Sequence, residues 1–191
     1  MFCLDINLAP EYSFRHCGIL WEKVEIFAGG SVFRGIYDAI IDTKGRTSLP
    51  ARLRETLVES FGDERFFVTN SKPVRLPDGA HASGLALYPF NHWLELEKQV
   101  ISCAPEEMTP AELDAVQRYI LAPAVECTAD KLGRFLIPPH LRKTAELERD
   151  LVFIGLATKT EIWSEAQWGR VRLQDVQNFP VNSSTLTKLR L

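Results

Sequence analysis

A chain of 191 residues with 46% hydrophobic and 25% charged content has the composition of an ordinary soluble globular protein of one or two domains, long enough to bury a sizeable core. No stretch approaches the roughly 18 consecutive apolar residues of a membrane span, and the N-terminus has neither the basic region nor the apolar segment of a signal peptide, so a cytoplasmic protein with no membrane partner is expected. The net charge of −3 argues against nucleic acid as a partner until the charges are located along the chain.

Residues 1–32 read as an N-terminal extension. They include Cys3, Cys17 and Trp21 but show no useful periodicity, and they are expected to be weakly folded or absent from the native product. The ordered pattern begins at Val32-Phe33-Arg34-Gly35. Alternating Tyr37, Ala39 and Ile41 predict a strand over 36–41. The charged turn Asp42-Thr43-Lys44-Gly45-Arg46 reverses it, a short strand follows to Leu49, and a helix opens at Pro50, where a missing N–H costs nothing. Leu53, Leu57, Val58 and Phe61 form the apolar stripe of that helix. Strands are predicted at 66–69 and 85–88, with a turn-rich, mobile loop over 71–83 between them.

Two helices come next. The first starts near Asn91, with Trp93, Leu96 and Val100 on one face; the second opens with a capping box, Thr109-Pro110-Ala111-Glu112, and runs to about Leu121. A strand at 124–129, a turn, a strand at 134–137 and a helix from Pro139 follow. Strands at 151–156 and 160–163 lead to a second capping box, Ser164-Glu165-Ala166-Gln167, and a helix around Trp168, Val171 and Leu173. Beyond Asn178 the chain reads as a frayed tail.

Much of the first unit returns in the second. Asp42, Gly45, Arg46 and Pro50 recur as Asp130, Gly133, Arg134 and Pro138 at a constant offset of 88, and Tyr37, Ala39 and Ile41 fall on Val125, Cys127 and Ala129. Leu87-Tyr88 and Trp93 match Ile162-Trp163 and Trp168 at an offset of 75, because the loop at 71–83 is replaced by the short Ala157-Thr158-Lys159. Two copies of some 55 residues are too few for a solenoid and suggest a pseudo-symmetric pair. The organisation is therefore a first module at 36–90, a helical connection at 91–122, a second module at 124–167, and a C-terminal helix and tail at 168–191.

The charges follow the repeat. Residues 42–54 carry +3, with Lys44, Arg46, Arg52 and Arg54 against Asp42; residues 130–143 carry +3, with Lys131, Arg134, Arg142 and Lys143 against Asp130. The remainder of the chain is acidic, so the field is oriented toward the two turns, and a local field is what guides a polyanion. An arginine suits such a turn because its planar fork grips a phosphate or the O6/N7 edge of guanine with two hydrogen bonds. Lys44 and Lys131 add point charge. Arg52, Arg54 and Arg142 are further candidate contacts, with coverage of apolar surface by their stems as the other reading. Asp42 and Asp130 would repel phosphate and read as structural, accepting backbone N–H bonds or holding the arginine, while Gly45 and Gly133 permit a positive φ.

Other chemistry finds little support. Four histidines, at 16, 81, 92 and 140, have no paired ligand spacing, and no phosphate-loop or dinucleotide pattern occurs, so no enzyme, metal, cofactor or small-molecule substrate is expected. Cys3, Cys17, Cys103 and Cys127 lack zinc spacing and fit a reducing compartment, with Cys127 a small buried hydrophobe.

Phe33-Arg34-Gly35, Asp42 through Arg46 with Pro50, Leu87-Tyr88-Pro89 with Trp93, Val116-Gln117-Arg118, Ala124-Val125-Glu126-Cys127 and Asp130 through Arg134 together resemble the MraZ family. These are regulators of transcription of the bacterial division and cell-wall gene cluster, built from two AbrB-like (SpoVT-AbrB) modules. The likeness covers about residues 33–168. It implies an α+β, mostly β chain in which two swapped-hairpin modules form an intertwined pseudo-dimer with a helical middle segment. It also implies binding of double-stranded DNA at short direct repeats through the two Asp-x-x-x-Arg turns, repression of the cluster including its own promoter, ring-like homo-oligomers and a nucleoid location. The family normally begins at the equivalent of Val32, from which translation is expected to initiate at residue 32. The alternative is an AbrB-like antitoxin or a protein-interaction scaffold that does not read DNA sequence; antitoxins of that kind usually supply one module per chain.

Overall fold

Long apolar runs late in each repeat become the centre of a sheet, and shorter alternating stretches become its edges. The computed structural model describes residues 32–189 apart from 105 and 182, and the expectations for residues 1–31 lie outside the described residues. In chain order the elements are β1 (Ile36–Ile40), β2 (Arg46–Ser48), α1 (Ala51–Phe61), β3 (Arg65–Asn70), β4 (Val74–Arg75), β5 (His81–Ala82), β6 (Leu85–Pro89) and α2 (Phe90–Ile101). Then come α3 (Pro110–Val116), which continues into a π-helical turn Gln117–Leu121, β7 (Val125–Thr128), β8 (Arg134–Leu136), α4 (Pro139–Thr144), β9 (Asp150–Leu156), β10 (Lys159–Ser164), α5 (Glu165–Asn178) and α6 (Ser184–Lys188). The class is α+β with antiparallel sheets.

Six strands form one sheet of order β1-β9-β10-β6-β3-β7, and β2 with β8 forms a separate two-stranded ribbon. The inner strands are covered on both faces. β9 sends Leu151 and Phe153 into the larger core, with Phe33, Leu53, Phe66, Phe135 and Ile162, and sends Val152 and Ile154 into a smaller one with Leu76, Trp163 and Val171. The edge strands β1 and β7 alternate half-buried and exposed residues, as expected where only one face is packed. Phe135 bridges ribbon and sheet, meeting Phe66 edge-on at 5.1 Å and Phe153 at 6.5 Å between ring centroids; such aromatic pairs add about 0.5–1.5 kcal/mol to the area they bury.

The strand order reads the same from either end when each strand is exchanged for its counterpart in the other repeat. β1 pairs with β9, from Ile36↔Ile154 to Ile40↔Asp150, and β7 pairs with β3, from Val68↔Val125 to Arg65↔Thr128. At the middle, β10 meets β6 with Glu161 opposite Ala86, positions 75 residues apart.

Several local expectations are corrected. Pro50 precedes α1 rather than opening it: its carbonyl accepts from the Leu53 and Arg54 N–H groups, each at 3.0 Å. The buried face of α1 is Leu53, Thr56 and Leu57, while Val58 is exposed; the Thr56 hydroxyl donates to the Arg52 carbonyl at 3.0 Å and so enters the core already satisfied. The stretch at 71–83 contains the β4–β5 hairpin, which buries Leu76 and Ala82 and is tied to α5 by Arg170 to Asp78 at 3.1 Å and by the Gln174 amide to the Arg75 carbonyl. The Thr109–Glu112 capping box forms in both directions. The second box forms only halfway: Ser164 accepts from the Gln167 N–H at 3.4 Å, but the Gln167 side chain reaches Glu146. The tail carries α6.

Of the middle helices, α2 lays the buried Trp93 on Phe67 and Tyr88, with ring centroids 5.3 and 5.7 Å apart. The π-helical turn is pinned to β3 by the Thr69 hydroxyl to the Ile120 carbonyl and the Asn70 amide to the Tyr119 carbonyl at 2.9 Å.

Candidate nucleic-acid interface

The two charged turns are built by one hydrogen-bond plan. At the first, Asp42 Oδ1 accepts the N–H groups of Lys44 (2.9 Å) and Arg46 (2.8 Å), Asp42 Oδ2 accepts Arg46 Nε (3.0 Å), and the Gly45 N–H returns to the Asp42 carbonyl (2.9 Å). At the second, Asp130 Oδ1 takes the N–H groups of Leu132 and Arg134 at 2.9 Å each, Oδ2 takes Arg134 Nε and Nη2 at 3.0 and 2.9 Å, and the Gly133 N–H returns to the Asp130 carbonyl at 2.8 Å. Each carboxyl is held below the usual aspartate range, first by the backbone N–H of its arginine and then also by the guanidinium.

β2 and β8 join the turns into one unit. They pair with Arg46 opposite Leu136, Thr47 opposite Phe135 and Ser48 opposite Arg134. Thr47 and Phe135 face the core, so period-two alternation puts Arg46, Ser48, Arg134 and Leu136 together on the outer face. The rungs of Arg46 and Arg134 are two residues apart, roughly 7 Å along the ribbon. Each turn is stapled to the opposite repeat: the Ile137 N–H donates to the Gly45 carbonyl at 2.9 Å, and the Leu49 N–H to the Gly133 carbonyl at 2.8 Å.

Two sequence candidates lie elsewhere than their own turn. Arg54 on α1 reaches across to the second turn, and Arg142 on α4 reaches across to the first. A Cβ placed on Gly133 would lie 2.6 Å from Arg54 Nη1, and one on Gly45 would lie 2.7 Å from the Arg142 guanidinium carbon. Both glycines hold a positive φ, +78° at Gly133 and +85° at Gly45, where an L side chain is strained, and each has a guanidinium laid over it. Buried Arg142 Nε has no acceptor among the described residues, so this arginine is held by packing against the turn. Arg52 points outward and pairs with Glu55 at 3.6 Å, both exposed. Lys44 and Lys131 are exposed, at non-equivalent positions: the counterpart of Lys44 is Leu132 and that of Lys131 is Thr43.

This arrangement decides where the positive field comes from. Each Asp–Arg pair is close to neutral as a whole, so the surplus rests on the other cations: Lys44 and Arg142 at one end of the ribbon, Lys131 and Arg54 at the other, with Lys143 on α4 and the Glu55-paired Arg52 on α1. The aspartates orient the forks instead of cancelling the site. Sequence reading missed Ser48, Leu132 and Leu136 as residues of this surface; the alternation at 46, 48 and at 134, 136 was the signal that could have found the two on the ribbon. Among the described residues no group of three or more His, Cys, Asp or Glu could hold a metal ion, and no helix is long and apolar enough to cross a membrane.

Comparison with known proteins bears on the same chain. A family model described as "MraZ protein, putative antitoxin-like" matches residues 120–188. The chain is 58% identical over 160 residues to the transcriptional regulator MraZ of Geotalea daltonii, covering 84% of this chain and 100% of that protein. It is 56% identical, with the same coverage, to the transcriptional regulator MraZ of Geotalea uraniireducens. The protein of that name from Heliobacterium modesticaldum is 40% identical over 139 residues, which are 73% of this chain and 85% of the relative.

Proposed function

The chain belongs to the MraZ family of transcriptional regulators, and from that premise we propose that it binds double-stranded DNA sequence-specifically and regulates transcription by occupying short direct repeats in a promoter region. The observation that carries the reading is the ribbon face, where Arg46 and Arg134 share the outer surface two rungs apart, each oriented by an aspartate that also builds its turn. A two-stranded ribbon fits the major groove, and an arginine fork matches the O6/N7 edge of guanine. Lys44, Lys131, Arg54 and Arg142 supply the flanking charge, with Arg52 a more distant backbone contact; the repressed genes would be the division and cell-wall cluster and the protein's own promoter.

The strand exchange of β1 and β7 supports reading 36–90 and 124–167 as two AbrB-like swapped-hairpin modules that form a pseudo-dimer within one chain. One chain offers a single ribbon and binds weakly, so a ring-like homo-oligomer that engages successive repeats supplies avidity. Exposed Leu173, Val176 and Phe179 near the end of α5 are apolar surface available to such an assembly. Such a protein works in the cytoplasm on the nucleoid, without catalysis. The antitoxin-like wording of the family model favours a second reading, in which a protein is the main partner. Selection from a random-sequence duplex pool separates the two: the DNA reading expects an enriched motif repeated in tandem, and a pool that returns no motif would remove it.

A further inference from the structure

The two ends of the ribbon are unlike. Arg46 has Leu136 as its cross-strand neighbour, whereas Arg134 has Ser48, although Ser48 and Leu136 are counterparts at the repeat offset. Leu136 is 51% exposed on this outer face, while Phe135 beside it fills the core. Directly opposed side chains have Cβ atoms about 4.5–5.5 Å apart, so a guanidinium engaged with one base pair holds the leucine over an adjacent one. A serine hydroxyl hydrogen-bonds to several base edges and discriminates little. An isobutyl group in the major groove has one apolar partner, the 5-methyl of thymine.

We propose that Leu136 is a specificity-determining residue that contacts a thymine methyl next to the base held by Arg46, so that the ribbon reads its site with a fixed polarity. The inference rests on the DNA reading above and adds a base preference to one end of it. A surface whose ends differ in this way fits a site that is not its own inverted complement. Leu136→Ser, which gives both arginines a serine as cross-strand neighbour, leaves the β2–β8 backbone pairing untouched and changes only an exposed side chain.

The test uses the full-length protein and the duplex motif it enriches from a random pool, with each thymine replaced singly by deoxyuridine, which removes the methyl and keeps the base pair. Wild type is expected to lose about three- to fivefold in affinity at one thymine of the motif, the size of burying one methyl group. Leu136→Ser should bind the thymine duplex more weakly by a similar factor and be indifferent to that replacement. A motif without thymine, a wild type insensitive at every thymine, or a Leu136→Ser protein as sensitive as wild type would overturn the inference while the DNA reading stands. Failure of wild type to enrich any motif would take both down.

Discussion

Replacing Gly45 with alanine tests the reciprocal stapling of the turns, because two separable costs meet at that residue. The first is conformational: φ is +85°, and an L residue in the left-handed region pays about 1–2 kcal/mol. The second is steric, since the new Cβ would fall 2.7 Å from the Arg142 guanidinium carbon; pushing that side chain off its rotamer costs roughly 0.5–1.5 kcal/mol. Gly62 supplies the control. Its φ is +69° at the end of α1, yet a Cβ there meets nothing within 4 Å, so Gly62→Ala pays the first cost alone. Urea unfolding at fixed protein concentration should show Gly45→Ala more destabilising than Gly62→Ala by about 1 kcal/mol. In an Arg142→Ala background that excess should vanish, the coupling being the interaction energy of a double-mutant cycle. Equal losses at the two glycines, or an excess that survives removal of Arg142, would refute the idea that α4 of one repeat clamps the turn of the other.

Other outcomes follow from single groups. Burial, with the Glu126 charge second, pushes the Cys127 thiol up to about 11, so its alkylation at pH 8, followed by peptide mapping, should run about a hundredfold or more slower than that of a free cysteine and rise tenfold per pH unit until that value. Asp42 and Asp130 have depressed folded pKa values, so their contribution is complete above the unfolded value of about 4 and is lost as pH falls through the folded one. Stability measured from pH 7 to 2 should therefore show an Asp42→Asn, Asp130→Asn protein weaker than wild type at pH 7, with the gap closing in acid; a constant gap would contradict the assignment. Thr109→Ala removes the hydroxyl that accepts from the Glu112 N–H and donates to the Glu112 carboxylate, leaving the Thr109 N–H to Glu112 bond in place; it should cost about 1 kcal/mol, read as faster amide exchange in α3.

The repeat was legible because the turn chemistry is demanding. An aspartate, a glycine and an arginine at fixed spacing have few substitutes, so both copies kept Asp42, Gly45 and Arg46 as Asp130, Gly133 and Arg134, and the two edge pairings correspond rung for rung once β1 is moved by 88 residues onto β7 and β3 by 85 onto β9. Strand positions were legible from periodicity, but partners were not: nothing local to Ile36 indicates that Ile154 lies opposite it. The same blindness hid the crossing of Arg54 and Arg142, whose helices follow their own turns in sequence yet pack on the other's. Short elements escaped as well. β4 and β5 have two residues each, too few for a period to register. Gln167 fits a capping pattern, but Glu146 competes for its amide, and tertiary contact overrode the local motif.

The central claim, that the paired turns read DNA sequence, is tested most directly by a salt titration of wild type, Arg46→Ala and Arg134→Ala on the selected duplex and on a scrambled one, with oligomeric state checked by light scattering. With about four phosphates neutralised per chain, log K for wild type should fall against log salt with a slope of roughly −3 to −4 per chain. Each arginine variant should lose on the order of 1–3 kcal/mol on the selected duplex and much less on the scrambled one. Equal affinity for the two duplexes, unchanged by either substitution while the assembly stays intact, would contradict the account.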